Sequence, residues 1–106
     1  MQKHNILQTL PEPKNREHFE AILHAPDVRI ERIVSYGQTS PDTGWYDQDE
    51  HEWVLLLQGC AVLVFADGRE ISLEAGDYVH IPAHCRHRVG MTDKNGATVW
   101  LAVFYR

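Results

Sequence analysis

Three histidines, His80, His84 and His87, lie within eight residues where one short β-like run gives way to another. The stretch Glu74 to Met91 (EAGDYVHIPAHCRHRVGM) reads as a strand entered through Gly76-Asp77 and stopped at Pro82. The chain then reverses through Ala83 to Arg86 and returns on a second strand from His87. Proline donates no hydrogen bond to a sheet ladder, so Pro82 belongs at a strand end or edge. That stop fixes where His87 begins the returning strand. An imidazole held in this way can ligate a metal or act as an acid–base group near neutral pH. His80, on a strand beside Tyr78, reads more simply as a satisfied sheet residue.

Gly76, then five residues, then Pro82, and His87 five positions later resemble the second sequence motif of the cupins. That motif runs Gly, five residues, Pro-x-Gly, two residues, His, three residues, Asn. This chain departs from it twice, with His84 at the second Gly position and Met91 at the Asn position. His is among the non-glycine residues enriched at positive φ, so His84 suits the left-handed turn position of that Gly. Upstream, Glu52 and Gly59 are similar to the end of the first cupin motif, which runs Gly, five residues, His-x-His, three or four residues, Glu, six residues, Gly. Counting back three from Glu52 puts Gln48 and Tyr46 on the two histidine positions; counting back four puts Asp47 and Trp45 there. The resemblance covers roughly Tyr46 to Tyr105 and lacks the histidine pair.

It implies an all-β jelly-roll barrel (a double-stranded β-helix) with at most one short N-terminal helix and a pocket at one mouth. Glu52 and His87 are the implied catalytic or metal-holding residues, joined by Gln48 through its amide oxygen or Asp47 through its carboxylate. Tyr46 and His84 are the implied pocket residues. By the two-residue period of a strand, His51 faces away from the side that Glu52 occupies. The implied cofactor is a divalent ion (Zn, Mn, Fe or Ni), since oxygen donors suit such ions better than Cu(I). It would polarise a substrate oxygen. Without it, Glu52 could serve as a general base if burial raises its pKa. Three functions stay open, and with them catalysis itself: a metal-dependent enzyme on a small polar substrate, a non-catalytic small-molecule or metal binding module, and a barrel whose site has decayed. The missing histidine pair favours the second over a redox enzyme.

The elements that must position these residues follow from pattern. At 106 residues the chain is one domain, with residues 1–27 as an N-terminal arm and 28–106 as the barrel. Pro11 and Pro13 break up residues 1–15, leaving one short strand at Asn5 to Leu7. Arg16 to His24 can make about two helical turns with Phe19, Ile22 and Leu23 on one face, ended by Pro26. Val28 to Tyr36 alternates as a half-buried strand, with Val28, Ile30, Val34 and Tyr36 opposed by Arg29, Glu31 and Ser35; Arg32 breaks the apolar side. Gly37 to Gly44 reads as a loop. Glu52 to Gln58 is apolar on both parities, as in a strand covered on both faces. Asp67-Gly68 between Ala61–Phe65 and Glu70–Leu73 is a hairpin signal. Tyr78–Ile81 and His87–Met91 are further strands, Asn95-Gly96 marks a turn, and Thr98 to Tyr105 closes the chain as a long strand.

Composition narrows the partners. Hydrophobic residues make up 43% of the chain, which fits a folded globular protein. A formal charge of −5 argues against a phosphate-tracking, nucleic-acid-binding surface. The longest apolar run, Val54 to Leu57, is far short of the ~20 residues that span a bilayer. Cys60 and Cys85 suggest no disulfide framework and fit two reduced thiols in a cytoplasmic protein. A small-molecule ligand is the expected partner, with no membrane. A homodimer is expected too, because Val54–Leu57 and Thr98–Tyr105 supply more apolar surface than one small barrel needs inside, and open edges invite pairing.

Overall fold

Alternation along each strand decides which side chains reach the interior. In β3 (His51–Gln58), Glu52, Val54 and Leu56 are buried, while His51, Trp53 and Leu55 on the other parity stay half-buried. The strand is therefore covered fully on one face only, not on both. β8 (Thr98–Tyr105) repeats the pattern with Trp100, Ala102 and Phe104 inside, and β4 (Cys60–Phe65) with Ala61, Leu63 and Phe65. These residues from two sheets, with Leu73 and Ile81, form one core cluster.

The computed structural model describes residues 1–13, 15–40 and 44–106. The other strands are β1 (His18–Ala25), β2 (Val28–Ser35), β5 (Glu70–Glu74), β6 (Tyr78–Ile81) and β7 (His87–Thr92). Five of the eight form one sheet in the order β1-β2-β8-β3-β6, and three form the second in the order β5-β4-β7. The pairings are antiparallel, and no helix occurs among the described residues. This is the jelly-roll architecture, closed around a core shared by both sheets. Asp67-Gly68 lies at the β4–β5 hairpin tip, closed by Phe65 N–H to Arg69 O at 2.9 Å. Of the loop expected over Gly37 to Gly44, residues 41–43 lie outside the described residues.

Two expectations for the N-terminal region are overturned. Residues 16–24 form no helix; His18–Ala25 is β1, paired with β2 through a two-residue turn at Pro26-Asp27. Phe19, Ile22 and Leu23, the face that such a helix would present, remain 58%, 53% and 47% exposed. A helix this short needs tertiary support, whereas β2 offers a ladder of backbone partners. The arm expected over residues 1–27 thus contributes a strand. Nor is Asn5 to Leu7 a strand: Asn5 Oδ1 accepts from Leu7 N–H at 2.9 Å and its carbonyl from Gln8 N–H at 3.1 Å, which makes a turn.

Arg32, the residue that broke the apolar side of β2, ties this turn down. Its buried guanidinium donates to the carbonyls of Ile6, Gln8 and Thr9 at 2.9–3.2 Å and to both oxygens of Glu20. Gly59 carries the crossing from β3 in one sheet to β4 in the other. Its φ is +88°, and a Cβ there would stand 2.5 Å from Thr98 Oγ1 and 2.8 Å from Thr98 Cα.

Candidate functional site

Glu52 is the second residue of β3, where Ile81 of β6 and Phe104 of β8 flank it in the ladder. It shares the inward parity of Val54 and Leu56, so its carboxylate is carried into the barrel. His87 is the first residue of β7 and pairs with Phe65 of β4 in the opposite sheet. An isolated bridge also joins it to Tyr46: Tyr46 N–H donates to His87 O at 2.8 Å, and His87 N–H to Tyr46 O at 3.2 Å. One turn earlier, His84 N–H donates to Gln48 O at 2.8 Å. The segment 46–48 is thereby stitched along the turn that follows Pro82.

The two side chains meet. His87 Nε2 lies 3.5 Å from Glu52 Oε1, with the residues 4% and 8% exposed. His87 Nδ1 is 2.9 Å from the Cys85 carbonyl, which can only accept, so Nδ1 carries a proton and Nε2 is the nitrogen facing Glu52. The Gln48 amide donates to Glu52 Oε1 at 2.9 Å. Burial, the largest influence on His87, lowers its pKa. The hydrogen bond to Glu52, the Cys85 carbonyl and the Glu52 charge together outweigh it, leaving the imidazole raised above 6.5.

A cavity of about 190 Å³ opens beside this pair and is lined by Tyr46, Gln48, Glu52 and His87. Its apolar wall includes Val54, Leu63, Ile81 and Trp100. Tyr46 is 43% exposed, its ring 5.6 Å from that of His87. Asp47 does not join them. Its Oδ1 is 2.8 Å from His84 Nδ1, both side chains are largely exposed, and neither residue lines the cavity. His84 has φ of 64°, the left-handed conformation in which the cupin motif carries Gly. Of the two alignments of the first motif, the one with Gln48 and Tyr46 is thus the one that reaches the interior. The side chains of Asp47 and His84 pair outside it. His51 sits on the outer face, its ring 5.1 Å from that of Tyr105. Among the described residues, no group of three or more His, Cys, Asp or Glu is placed to hold a metal ion.

Sequence reasoning missed four wall residues: Glu17, Arg29, Glu31 and Trp100. The polar parity of β2 was expected to face away from the core, yet Arg29, Glu31 and Ile33 line the cavity. Arg29 donates to Glu31 at 2.6 Å and to Glu50 at 3.0 Å, and its guanidinium lies 3.8 Å from the centre of the Phe104 ring. Alternating Arg and Glu in a barrel strand was the available signal. Glu17, ahead of β1, accepts from Ser35 Oγ at 2.6 Å, and burial raises its pKa despite that bond.

A family model for the cupin domain matches residues 33–104. The chain belongs to the cupin family. Among solved structures, a "putative mannose-6-phosphate isomerase" from Ralstonia eutropha JMP134 is 40% identical. The alignment covers 99% of this chain and 98% of that one, with a TM-score of 0.94. A cupin superfamily protein from Desulfitobacterium hafniense DCB-2 (22% identity, 99% and 92% covered, TM-score 0.80) shares the fold. So does an RmlC-like cupin from Desulfovibrio desulfuricans (18% identity, 98% and 96% covered, TM-score 0.77). No curated protein matches the sequence.

Proposed function

We propose that this cupin takes a small polar molecule into its cavity and presents it to Glu52 and His87 as an acid–base pair. The observation that carries the reading is the 3.5 Å approach of His87 Nε2 to Glu52 Oε1 in the cavity wall. With Nδ1 committed to Cys85, Nε2 is the position at which a proton is given to or taken from a ligand oxygen. Glu52 and the Cys85 carbonyl outweigh burial and hold the imidazole pKa above its ordinary value. Gln48 orients the carboxylate by donating to Oε1. An apolar cavity of ~150 Å³ admits benzene, so about 190 Å³ suits a ligand of roughly that size or slightly larger. The name of the 40%-identical relative supports a small polar substrate.

A second reading rests on the donor chemistry. His87 Nε2, the Glu52 carboxylate and, with its amide turned, the oxygen of Gln48 fit an exchangeable divalent ion such as Zn, Mn, Fe or Ni. The backbone carbonyl behind His87 is the kind of support that fixes the tautomer of a ligating histidine. When bound, such an ion would act as a Lewis acid on a ligand oxygen. We also propose that residues 1–106 fold as one unit, that the protein is a homodimer and that it works in the cytoplasm. The free thiols of Cys60 and Cys85 support the compartment. No helix is long and apolar enough to cross a membrane among the described residues.

Elemental analysis of protein purified without chelator or affinity metal separates the two readings. Near-stoichiometric Mn, Fe, Ni or Zn that disappears in His87→Ala makes the ion resident. No metal, with a melting temperature unmoved by added ions, leaves the acid–base pocket.

A further inference from the structure

Charge around the cavity is unevenly matched. Arg29, the guanidinium in its wall, donates to Glu31 and Glu50 and stacks on Phe104. His87 is held by Cys85 on one nitrogen and faces Glu52 with the other. Each cationic group in the described wall therefore already faces a carboxylate. Glu17 is met instead by the neutral hydroxyl of Ser35. Glu17, Glu31 and Glu52 stand against Arg29 and His87, so carboxyl groups outnumber cationic side chains in the wall by three to two. Like charges repel far more strongly in an enclosed apolar site than in water, so an entering anion meets a barrier.

Trp100 adds a neutral donor. It is 3% exposed and lines the cavity, and its indole N–H has no hydrogen-bond partner among the described residues. A buried donor left unpaired is costly, and an oxygen brought by a ligand would satisfy it. A hydroxyl group can both accept from the indole and donate to a carboxylate; an anionic oxygen can only accept.

We infer that the cavity selects an uncharged, hydroxyl-bearing molecule with an apolar body and rejects anionic ligands, phosphorylated sugars among them. The inference rests on the ligand-pocket reading above and names its ligand class. A second, more open depression shares Glu17, Phe19 and Tyr46 with the cavity and also holds Arg16. A phosphate seated there is the arrangement that a test must be able to detect.

Benzyl alcohol, benzoate and phenyl phosphate share one ring and differ in charge. Each is titrated into isotope-labelled protein at neutral pH while the Trp100 indole N–H and the His87 ring are followed by NMR. Benzyl alcohol is expected to shift both and to bind at least about tenfold more tightly than either anion. In the double variant Glu17→Gln/Glu31→Gln, which discharges two wall carboxylates, the gap to benzoate is expected to close by about tenfold. Wild-type binding of benzoate or phenyl phosphate as tight as that of benzyl alcohol overturns the charge selection while leaving the pocket standing. A phenyl phosphate preference abolished by Arg16→Ala also overturns it, and places the anion in the outer depression. If none of the three moves these signals, the pocket reading itself fails and this inference falls with it.

Discussion

Glu52 and His87 belong to different sheets, yet the oxygen of one lies 3.5 Å from the nitrogen of the other. Glu52 arrives on β3 of the five-stranded sheet and His87 on β7 of the three-stranded sheet, thirty-five residues later. Closure of the barrel is what brings them together. Glu52 favours the charged form of the His87 imidazole inside an apolar wall, and this makes the pair measurable.

The first prediction isolates that coupling. In Glu52→Gln the charge opposite His87 is gone, while burial and the Cys85 carbonyl remain. Burial is the largest influence on this imidazole and acts downward, so its pKa should fall from above 6.5 to below it. NMR titration of the His87 ring in both proteins measures this directly. An unchanged titration midpoint would show that Glu52 is not the group holding the proton.

Stability should carry the same signature. A histidine whose folded pKa exceeds its unfolded value stabilises fully below the unfolded pKa, and loses that contribution as pH rises through the folded one. His87→Asn should therefore lower the melting temperature more at about pH 6 than at about pH 9, since the pair fades at the alkaline end. Equal losses at both pH values would contradict a raised pKa.

Gly59 gives a prediction about the crossing between sheets. A methyl group there collides with the backbone of Thr98 and sits on a left-handed φ. Gly59→Ala should cost about 3 kcal/mol or more, combining strain with overlap. Gly68→Ala, at φ +94° with nothing within 4 Å of the added Cβ, should cost only about 1 kcal/mol. Chemical denaturation of the two variants tests the contrast, and similar losses would refute the packing argument.

Arg32 is expected to hold the N-terminal turn to the barrel. Arg32→Ala removes donors to the carbonyls of Ile6, Gln8 and Thr9 and leaves Glu20 without its bidentate partner. The loss should be about 3 kcal/mol. Hydrogen exchange should accelerate at the Leu7 and Gln8 amides, which are bonded within this turn, before it does in β8. Unchanged protection there would mean the turn stands without the guanidinium.

A homodimer predicts a particle of twice 12.2 kDa by light scattering at micromolar concentration. The outer face of the five-stranded sheet is the expected contact. Tyr78 is 65% exposed there, its ring 5.4 Å from that of Trp53, and the His80 ring stacks on Tyr105. Tyr78→Glu should shift the particle toward 12.2 kDa while leaving the fold intact. A monomeric wild type would end the proposal.

Local pattern was enough to read most of the barrel. Strand alternation, the Asp67-Gly68 turn, and the spacing from Gly76 through Pro82 to His87 are short-range features, legible because turn chemistry and two-residue periodicity act over a few residues. Only the tertiary structure decided what periodicity leaves open. Period two says which residues share a face, not which face turns inward. The side of β2 bearing Arg29 and Glu31 proved to line the cavity because closure placed β1 and β2 along its wall. Gln48 was separated from Asp47 by the stitching of Tyr46 and Gln48 to the turn at His84–His87, a set of contacts nearly forty residues apart in sequence. β1 formed from a segment with a helical pattern because β2 offered it a ladder of backbone partners. In each case the deciding energy came from long-range pairing, which no local window of the sequence contains.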